Sequence, residues 1–257
     1  MASRVHELEK QDTYVSRVLC FPRPSCAELS ARVSRLVRAG FLSIVEEGIP
    51  FQGVRILGKG YTSIVVLALH AVHGLGALKV RRLDSRRASL ATEGELLSYA
   101  SSLGVAPRVY YYDDDYVFME YLDSSRCIPF EEDLARLIAR GDVEGVRRAV
   151  SRVIDALFLL DKHGLYHREL NRPGSHIMVC DSGVKVLDWE SASRSGKPSN
   201  LTQLVSHLLY RFKYSDQLKR ALDIKEEAVL EKLRAYKNSV NEENLINVKR
   251  CLGLVQL

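Results

Sequence analysis

Two carboxylates and a lysine carry the chemistry this sequence offers. Asp188 closes the run Val184-Lys185-Val186-Leu187, which alternates toward a buried strand, and Trp189 follows it. A carboxylate at a strand end, with a ring behind it to fix its direction, is able to hold a divalent cation over a phosphate chain. The other carboxylate is Glu169, in His167-Arg168-Glu169-Leu170. Lys79 lies inside the short apolar run Gly76-Ala77-Leu78-Lys79-Val80, where a charged side chain needs a partner. Phosphates together with a helix carboxylate would supply one. Glu93 is the chosen carboxylate and Glu95 the alternative, since helical phase leaves both open. Upstream, Leu57-Gly58-Lys59-Gly60-Tyr61-Thr62-Ser63-Ile64-Val65 sets Gly-x-Gly-x-x-Ser-x-Val between two strands. Glycines there let backbone N–H groups approach a polyphosphate. Gly53 with Gly58-Lys59 approaches a Walker pattern, but Gly60 stands where Ser or Thr should ligate magnesium, and a strand follows instead of a helix. Taken singly, each feature has an ordinary explanation: a loop aspartate, a glycine turn, an edge lysine in water. Their order gives them weight.

The chain has 257 residues, 46% hydrophobic and 27% charged, with a net charge of +5. That suits one bilobal domain with a real core. The charge permits an anionic partner without demanding one. No apolar run reaches bilayer-spanning length, and residues 1–10 are too charged for a secretory signal. The expectation is a cytoplasmic protein with no membrane partner. Cys20, Cys26, Cys127, Cys180 and Cys251 are odd in number and show no Cys-x-x-Cys pair, so reduced thiols are expected.

The elements that must position the chemistry follow from pattern. Residues 4–19 are expected as one amphipathic helix, broken by Phe21-Pro22-Arg23-Pro24. Ser25 and Glu28 suggest a capping box for the next helix, whose stripe is Leu29, Val33, Leu36 and Val37, with Gly40 past its end. Arg32, Arg35 and Arg38 line its opposite face. Residues 41–45 and 51–57 read as a strand and its return. Two helices and a ribbon outline a winged helix over 1–50, with the arginines facing nucleic-acid phosphates; the alternative is a helical cap packed on the next domain, with the arginines merely solvated. Residues 51–122 would form a mainly β lobe and 123–257 a mainly helical one. Residues 64–69 and 76–80 are expected strands, 89–101 a helix, and 109–112 with 116–121 a hairpin. Asp113-Asp114-Asp115 reads as its solvated turn. Residues 145–163 form a long helix whose apolar stripe is core, and further helices are expected over 134–140, 201–212, 224–237 and 242–252.

In this order the pieces resemble the protein-kinase-like fold: Gly-x-Gly with a following Val, Ala-x-Lys, a helix glutamate, Met119-Glu120-Tyr121-Leu122, His-x-acidic-Leu and Leu-Asp-aromatic, over roughly residues 53–210. The short tail after Asp188, with no Ala-Pro-Glu segment, is similar to RIO kinases and to the small kinase of the KEOPS tRNA-modification complex. His167 to His176 (His-x-Glu-Leu-x-Arg-Pro-x-x-His), with Asp188-Trp189-Glu190-Ser191-Ala192-Ser193, looks like an archaeal family of predicted serine/threonine kinases. The resemblance implies an α+β bilobal fold with a truncated second lobe and no activation segment, behind a winged-helix-like module. It implies ATP bound between the lobes with Mg²⁺ or Mn²⁺. Gly58, Lys59, Gly60, Ser63 and Val65 would cover the nucleotide. Lys79 and Glu93 would grip its phosphates, and the backbone of Met119, Glu120 and Leu122 would read the adenine edge.

Departures from the pattern shape the expected roles. Glu169 replaces the usual catalytic aspartate; a carboxylate still accepts a hydroxyl proton, but a displacement of about 1 Å can cost roughly 100-fold. His176 stands near the usual asparagine, with Asn171 a second candidate ligand beside Asp188. Imidazole suits Mn²⁺ better than Mg²⁺. Glu190 replaces a glycine and argues for one fixed loop conformation. The expected function is transfer of the γ-phosphoryl of ATP to a protein serine or threonine, on a dedicated partner or on the chain itself. The alternatives are an ATP-binding or ATPase module that docks on nucleic acid or a ribonucleoprotein, and a small-molecule kinase.

Overall fold

The computed structural model describes residues 4–174, 176–197 and 199–255. Pro198, in the polar loop expected over 193–202, lies outside them, as do residues 1–3. The architecture is α+β, and the chain divides into two compact units.

The first unit comprises Met1–Glu95 and Arg108–Leu122. In chain order it holds β1 (Arg4–Glu7), α1 (Thr13–Leu19), α2 (Leu29–Arg38), β2 (Phe41–Glu46), β3 (Ile49–Phe51), β4 (Val54–Ile56), β5 (Gly58–Lys59), β6 (Ser63–His70) and β7 (Gly74–Arg81), then the start of α3 (Ala91–Ser102), β8 (Val109–Tyr112) and β9 (Tyr116–Glu120). Seven strands form an antiparallel sheet in the order β1-β2-β6-β7-β9-β8, with β5 on β6. The two-residue period decides what each face does. Ile64, Val66 and Ala68 of β6, Leu78 and Val80 of β7, and Tyr116 and Phe118 of β9 are buried in one cluster with Val15, Val18 and Leu19 of α1 and Val33 and Leu36 of α2. Each such aliphatic side chain contributes about 1.5–3 kcal/mol by leaving water. The opposite parity, Val65, Lys79 and Val117, faces the other way.

Several expectations give way here. Residues 4–19 are not one helix. Arg4–Glu7 pairs with β2 as an edge strand, and Asp12 caps α1 by accepting from the N–H groups of Tyr14 and Val15, both at 2.9 Å. The capping box at Ser25 is absent: α2 starts at Leu29, and Glu28 makes no side-chain cap. Residues 41–45 do not pair with 51–57. β2 joins the main sheet through β1 and β6, and β3 with β4 forms its own hairpin, turned at Gln52 and Gly53 with φ of 47° and 81°. Residues 1–50 therefore share one core with the strands that follow.

Of the arginines of α2, Arg38 is exposed, whereas Arg32 and Arg35 are committed to partners within the fold. Arg32 is 2% exposed and donates to Leu19 O, to Arg81 O at 2.8 Å and to Asp115 at 3.1 Å. Arg35 reaches Asp115 at 2.9 Å and Asp113 at 3.8 Å, and Arg81 reaches Asp115 at 2.7 Å. Of the acidic triplet only Asp114 is exposed, so the solvated turn expected there holds for one residue of three. Burial pushes the Asp115 carboxyl up, but Arg32, Arg81 and Arg35 outweigh it and hold it below the usual range.

The second unit comprises Leu96–Pro107 and Asp123–Leu257. It holds β10 (Cys127–Pro129), α4 (Phe130–Ala139), α5 (Val143–Lys162), β11 (Ile177–Cys180), β12 (Gly183–Val186), α6 (Asn200–Tyr210), α7 (Ser215–Leu222), α8 (Glu226–Asn238) and α9 (Glu242–Cys251). β10, β11 and β12 form a small antiparallel sheet. The stripe of α5 (Val146, Ala149, Val150, Val153, Ile154, Leu157, Leu160) is buried. The expectation of reduced thiols also fails. Cys20 is bonded to Cys26, and Cys127 to Cys180, its register partner across β10 and β11; Cys251 is free. Among the described residues no helix is long and apolar enough to cross a membrane.

Candidate active site

Strand register brings together the candidate residues of the first unit. Gly58 pairs with Val65, Val65 with Lys79, and Lys79 with Val117, so one row runs across β5, β6, β7 and β9. It lies on the sheet face opposite α1 and α2. The glycine segment is a hairpin: Leu57 N donates to Val65 O at 2.8 Å and Gly60 N to Ser63 O at 2.8 Å, with Tyr61 exposed at the tip. Arg82 N donates to Thr62 O at 2.8 Å and tethers the turn to the end of β7. Ser63 is fully buried, so its hydroxyl faces protein. Lys59 lies 4.6 Å from the centroid of the Phe51 ring. Gly53 belongs to the separate β3–β4 hairpin, which removes the Walker-like spacing from the phosphate loop.

Lys79 is 6% exposed and Glu93 5%, and the two pair directly; Glu95 is exposed. An ammonium inside an apolar strand is tolerable only with such a carboxylate. Met119 pairs with Ala77 in register, and Glu120 accepts from Arg108 N at 3.1 Å. Leu122 is the last residue of the first unit.

A separate cluster of candidate side chains lies in the second unit. β11 and β12 form a hairpin in which Ile177 pairs with Val186, and Leu187 N donates to His176 O at 2.7 Å. Its open end therefore carries His176 on one strand and Asp188 on the other, with His176 Nε2 at 3.8 Å from Asp188 Oδ2. Glu169 joins them: one ligand atom from each of Glu169, His176 and Asp188 lies within 4.8 Å of the others. Two hard carboxylates and one borderline imidazole make a donor set that fits a divalent cation, with Mn²⁺ better matched than Mg²⁺. His176 Nδ1 is buried without a hydrogen-bond partner among the described residues.

The loop is held at special cost. Arg168 and Asp188 both sit in the left-handed region, at φ 68° and 60°. Trp189 is fully buried, donates from Nε1 to Val186 O at 2.9 Å and meets the His167 ring edge-on at 5.5 Å, so the ring does fix the turn at Asp188. His167 donates from Nε2 to Leu187 O at 2.7 Å, and burial holds it below its ordinary range, so it stays neutral. Arg168 donates to Ser193 Oγ at 2.8 Å.

Sequence reasoning passed over three residues that set this loop. Ser191 Oγ donates to Glu169 Oε1 and aims it. Asn200, fully buried, accepts from His167 N at 2.9 Å and donates to Leu165 O at 2.6 Å. Asp161 accepts from the N–H groups of Ser199, Asn200 and Leu201 at 3.0–3.1 Å and from Tyr236 Oη at 3.1 Å. Burial pushes its carboxyl up to about 6 against those donors. The only signal for this trio was a polar pair, Ser199-Asn200, ahead of an apolar run. Asn171 stands apart from its expected role: its side chain is exposed, and its backbone oxygen accepts from His207 Nδ1 at 3.2 Å.

No family model matches the chain, and no curated protein does. Among solved structures it is similar to a Stt7 homolog from Micromonas algae, whose crystals were soaked with ATP. The identity is 16% and the TM-score 0.42, over 53% of this chain and 48% of that one. The chain thus spans about half the length of that structure, and a likeness so distant carries no weight for activity.

Proposed function

We propose that this chain is an ATP-dependent phosphotransferase of protein-kinase-like, RIO-like type, acting on a serine or threonine hydroxyl of a dedicated protein partner or of the chain itself. The observation that carries the proposal is the register row that sets a glycine hairpin beside the buried Lys79–Glu93 pair. A hairpin of glycines and a charge-balanced lysine on one sheet face is what a triphosphate requires, since N–H donors and an ammonium both seek phosphate oxygens. The Glu169–His176–Asp188 group supports the same reading from the second unit.

Each residue then has a task. Lys79, oriented by Glu93, binds phosphate oxygens. Gly58, Lys59 and Gly60 cover the phosphates from the hairpin. Val65 and Ala77 give the base an apolar floor, and the backbone of Met119 to Leu122 binds its edge. Asp188 and His176 would hold a divalent cation. Such an ion supplies charge neutralisation for the phosphoryl oxygens. Glu169, held by Ser191, accepts the proton of the attacking hydroxyl at its free carboxylate oxygen. In-line transfer depends mostly on positioning, so a glutamate in this role is compatible with turnover.

A docking role on nucleic acid would rest on Arg38 alone of the three arginines of α2, because Arg32 and Arg35 are committed to Asp113 and Asp115. The deciding experiment incubates the protein with γ-labelled ATP and Mg²⁺ or Mn²⁺ and separates protein-bound label from free phosphate. Label on serine or threonine, lost in Lys79→Met and Asp188→Asn, is the expected result. Free phosphate alone would assign an ATPase instead.

A further inference from the structure

α6 and α8 present facing stripes that no part of the chemistry above uses. On α6 the spacing 202, 203, 206, 210 puts hydroxyl and amide side chains on one side, with the buried imidazole of His207 beside them, while Leu201, Leu204, Val205, Leu208 and Leu209 are buried. On α8 the spacing 230, 233, 234, 237 puts Arg234 and Lys237 on the edge of its buried side. Between the stripes lies an open cavity of about 490 Å³, lined among others by Asn171, Thr202, Ser206, Arg211, Arg234 and Lys237. That volume is in the usual range for a small-ligand site, roughly 300–1,000 Å³.

The charge balance of this cavity is one-sided. Arg211, Arg234 and Lys237 have no carboxylate partner among the described residues; Arg211 reaches only Asn171 O, at 3.4 Å. The nearby acids are taken: Glu131 pairs with His207 Nε2, and Glu226, beside Tyr210, is bonded to Lys219 at 2.9 Å. Three cations interleaved with hydroxyl and amide donors match a dianion with three oxygens better than a two-oxygen carboxylate. Asn171 lies both on the cavity wall and in the loop that carries Glu169.

We propose that this cavity is a phosphomonoester-binding subsite that seats a phosphate group carried by the acceptor. The word acceptor rests on the phosphotransfer reading; the binding of phosphate does not. The group could come from a free small phosphate ester or from a phosphorylated side chain, and the probes below separate the two.

The test is calorimetric titration at fixed ionic strength with inorganic phosphate, O-phosphoserine, a phosphoserine peptide and aspartate. The expected result is saturable binding of phosphate and O-phosphoserine, with aspartate much weaker. Arg234→Glu/Lys237→Glu should weaken phosphate binding at least about tenfold by charge reversal, while Arg38→Glu/Arg140→Glu leaves it unchanged. Should the first variant fail to fold, Arg234→Gln/Lys237→Gln serves, with a smaller loss in the same direction. Tighter binding of the peptide than of O-phosphoserine assigns the group to a polypeptide; the reverse assigns it to a small molecule. Non-saturable phosphate binding, equal loss in the control variant, or displacement of phosphate by ATP would each overturn the subsite. ATP titrated separately into the same variants should bind unchanged. Loss of ATP binding in wild-type protein would defeat the phosphotransfer reading and leave the subsite standing.

Discussion

Two clusters of carboxylates in this chain meet opposite fates. At Asp115 the fold supplies the cations itself: three guanidinium groups converge on one carboxylate, and its pKa is lowered as a result. At Glu169 the partner is a serine hydroxyl, and the nearest basic group to Asp188 that shares the cluster is an imidazole at 3.8 Å. The first arrangement is closed and serves stability. The second gathers two carboxylates and an imidazole on a loop with left-handed residues, the group to which the proposal above assigns a cation. A carboxylate's role is read from who neutralises it, not from how acidic its neighbourhood is.

The contrast breaks most sharply at Asp188. Asp188→Asn should lower metal-dependent phosphoryl transfer by at least about 100-fold with little change in Tm. Manganese titration followed by electron paramagnetic resonance would show the matching loss of ion binding, and intact binding would remove Asp188 from the site. Glu169→Gln comes next: transfer should fall about 100-fold while ATP affinity holds. Full activity would show that Glu169 is not the base.

Asp115→Asn should do the reverse, costing about 3–5 kcal/mol of stability by leaving buried guanidinium groups uncompensated. Denaturant melts would measure it, and nucleotide affinity at a temperature where the variant is folded should be unchanged. The wild-type pH profile sharpens the point. Because the folded pKa of Asp115 is depressed, its contribution is present above the unfolded value near 4 and is lost as pH falls through the folded one. Asp161 acts with the opposite sign: its folded pKa of about 6 means that stability from this group falls as pH rises from near 4 to 6, then levels off. Asp161→Asn should flatten that limb in melts between pH 4 and 7.

The smallest test concerns the thiols. Titration of the denatured, unreduced protein should find one reactive cysteine, Cys251, where five would mean both disulfides are open. Opening the Cys127–Cys180 loop, with its separation of 53 residues, should cost about 4 kcal/mol on the chain-entropy account.

What the sequence disclosed and what it hid divide along contact distance. Lys79, Asp188 and the glycine hairpin were legible because strand period and local spacing mark them. Glu93 was separable from Glu95 only once helical phase was fixed by packing. Arg32 was misread because the acid that binds it lies 83 positions away. The pairing of Cys127 with Cys180 depends on strand register, which spacing does not reveal. Ser191 and Asn200 escaped notice for the same reason, since each acts on a loop residue more than twenty positions distant. The edge strand Arg4–Glu7 carries charges that read equally as a polar helix face; only its pairing with β2 decides.

Arg168 is an arginine in a backbone pose that glycine adopts freely. Among the described residues its side chain secures Ser193 and the 195 carbonyl. A variant library at this position, sorted for heat resistance alone, should drift toward glycine or asparagine. Sorted for phosphoryl transfer, it should hold to arginine. Divergence of the two populations would locate where this chain trades robustness for work.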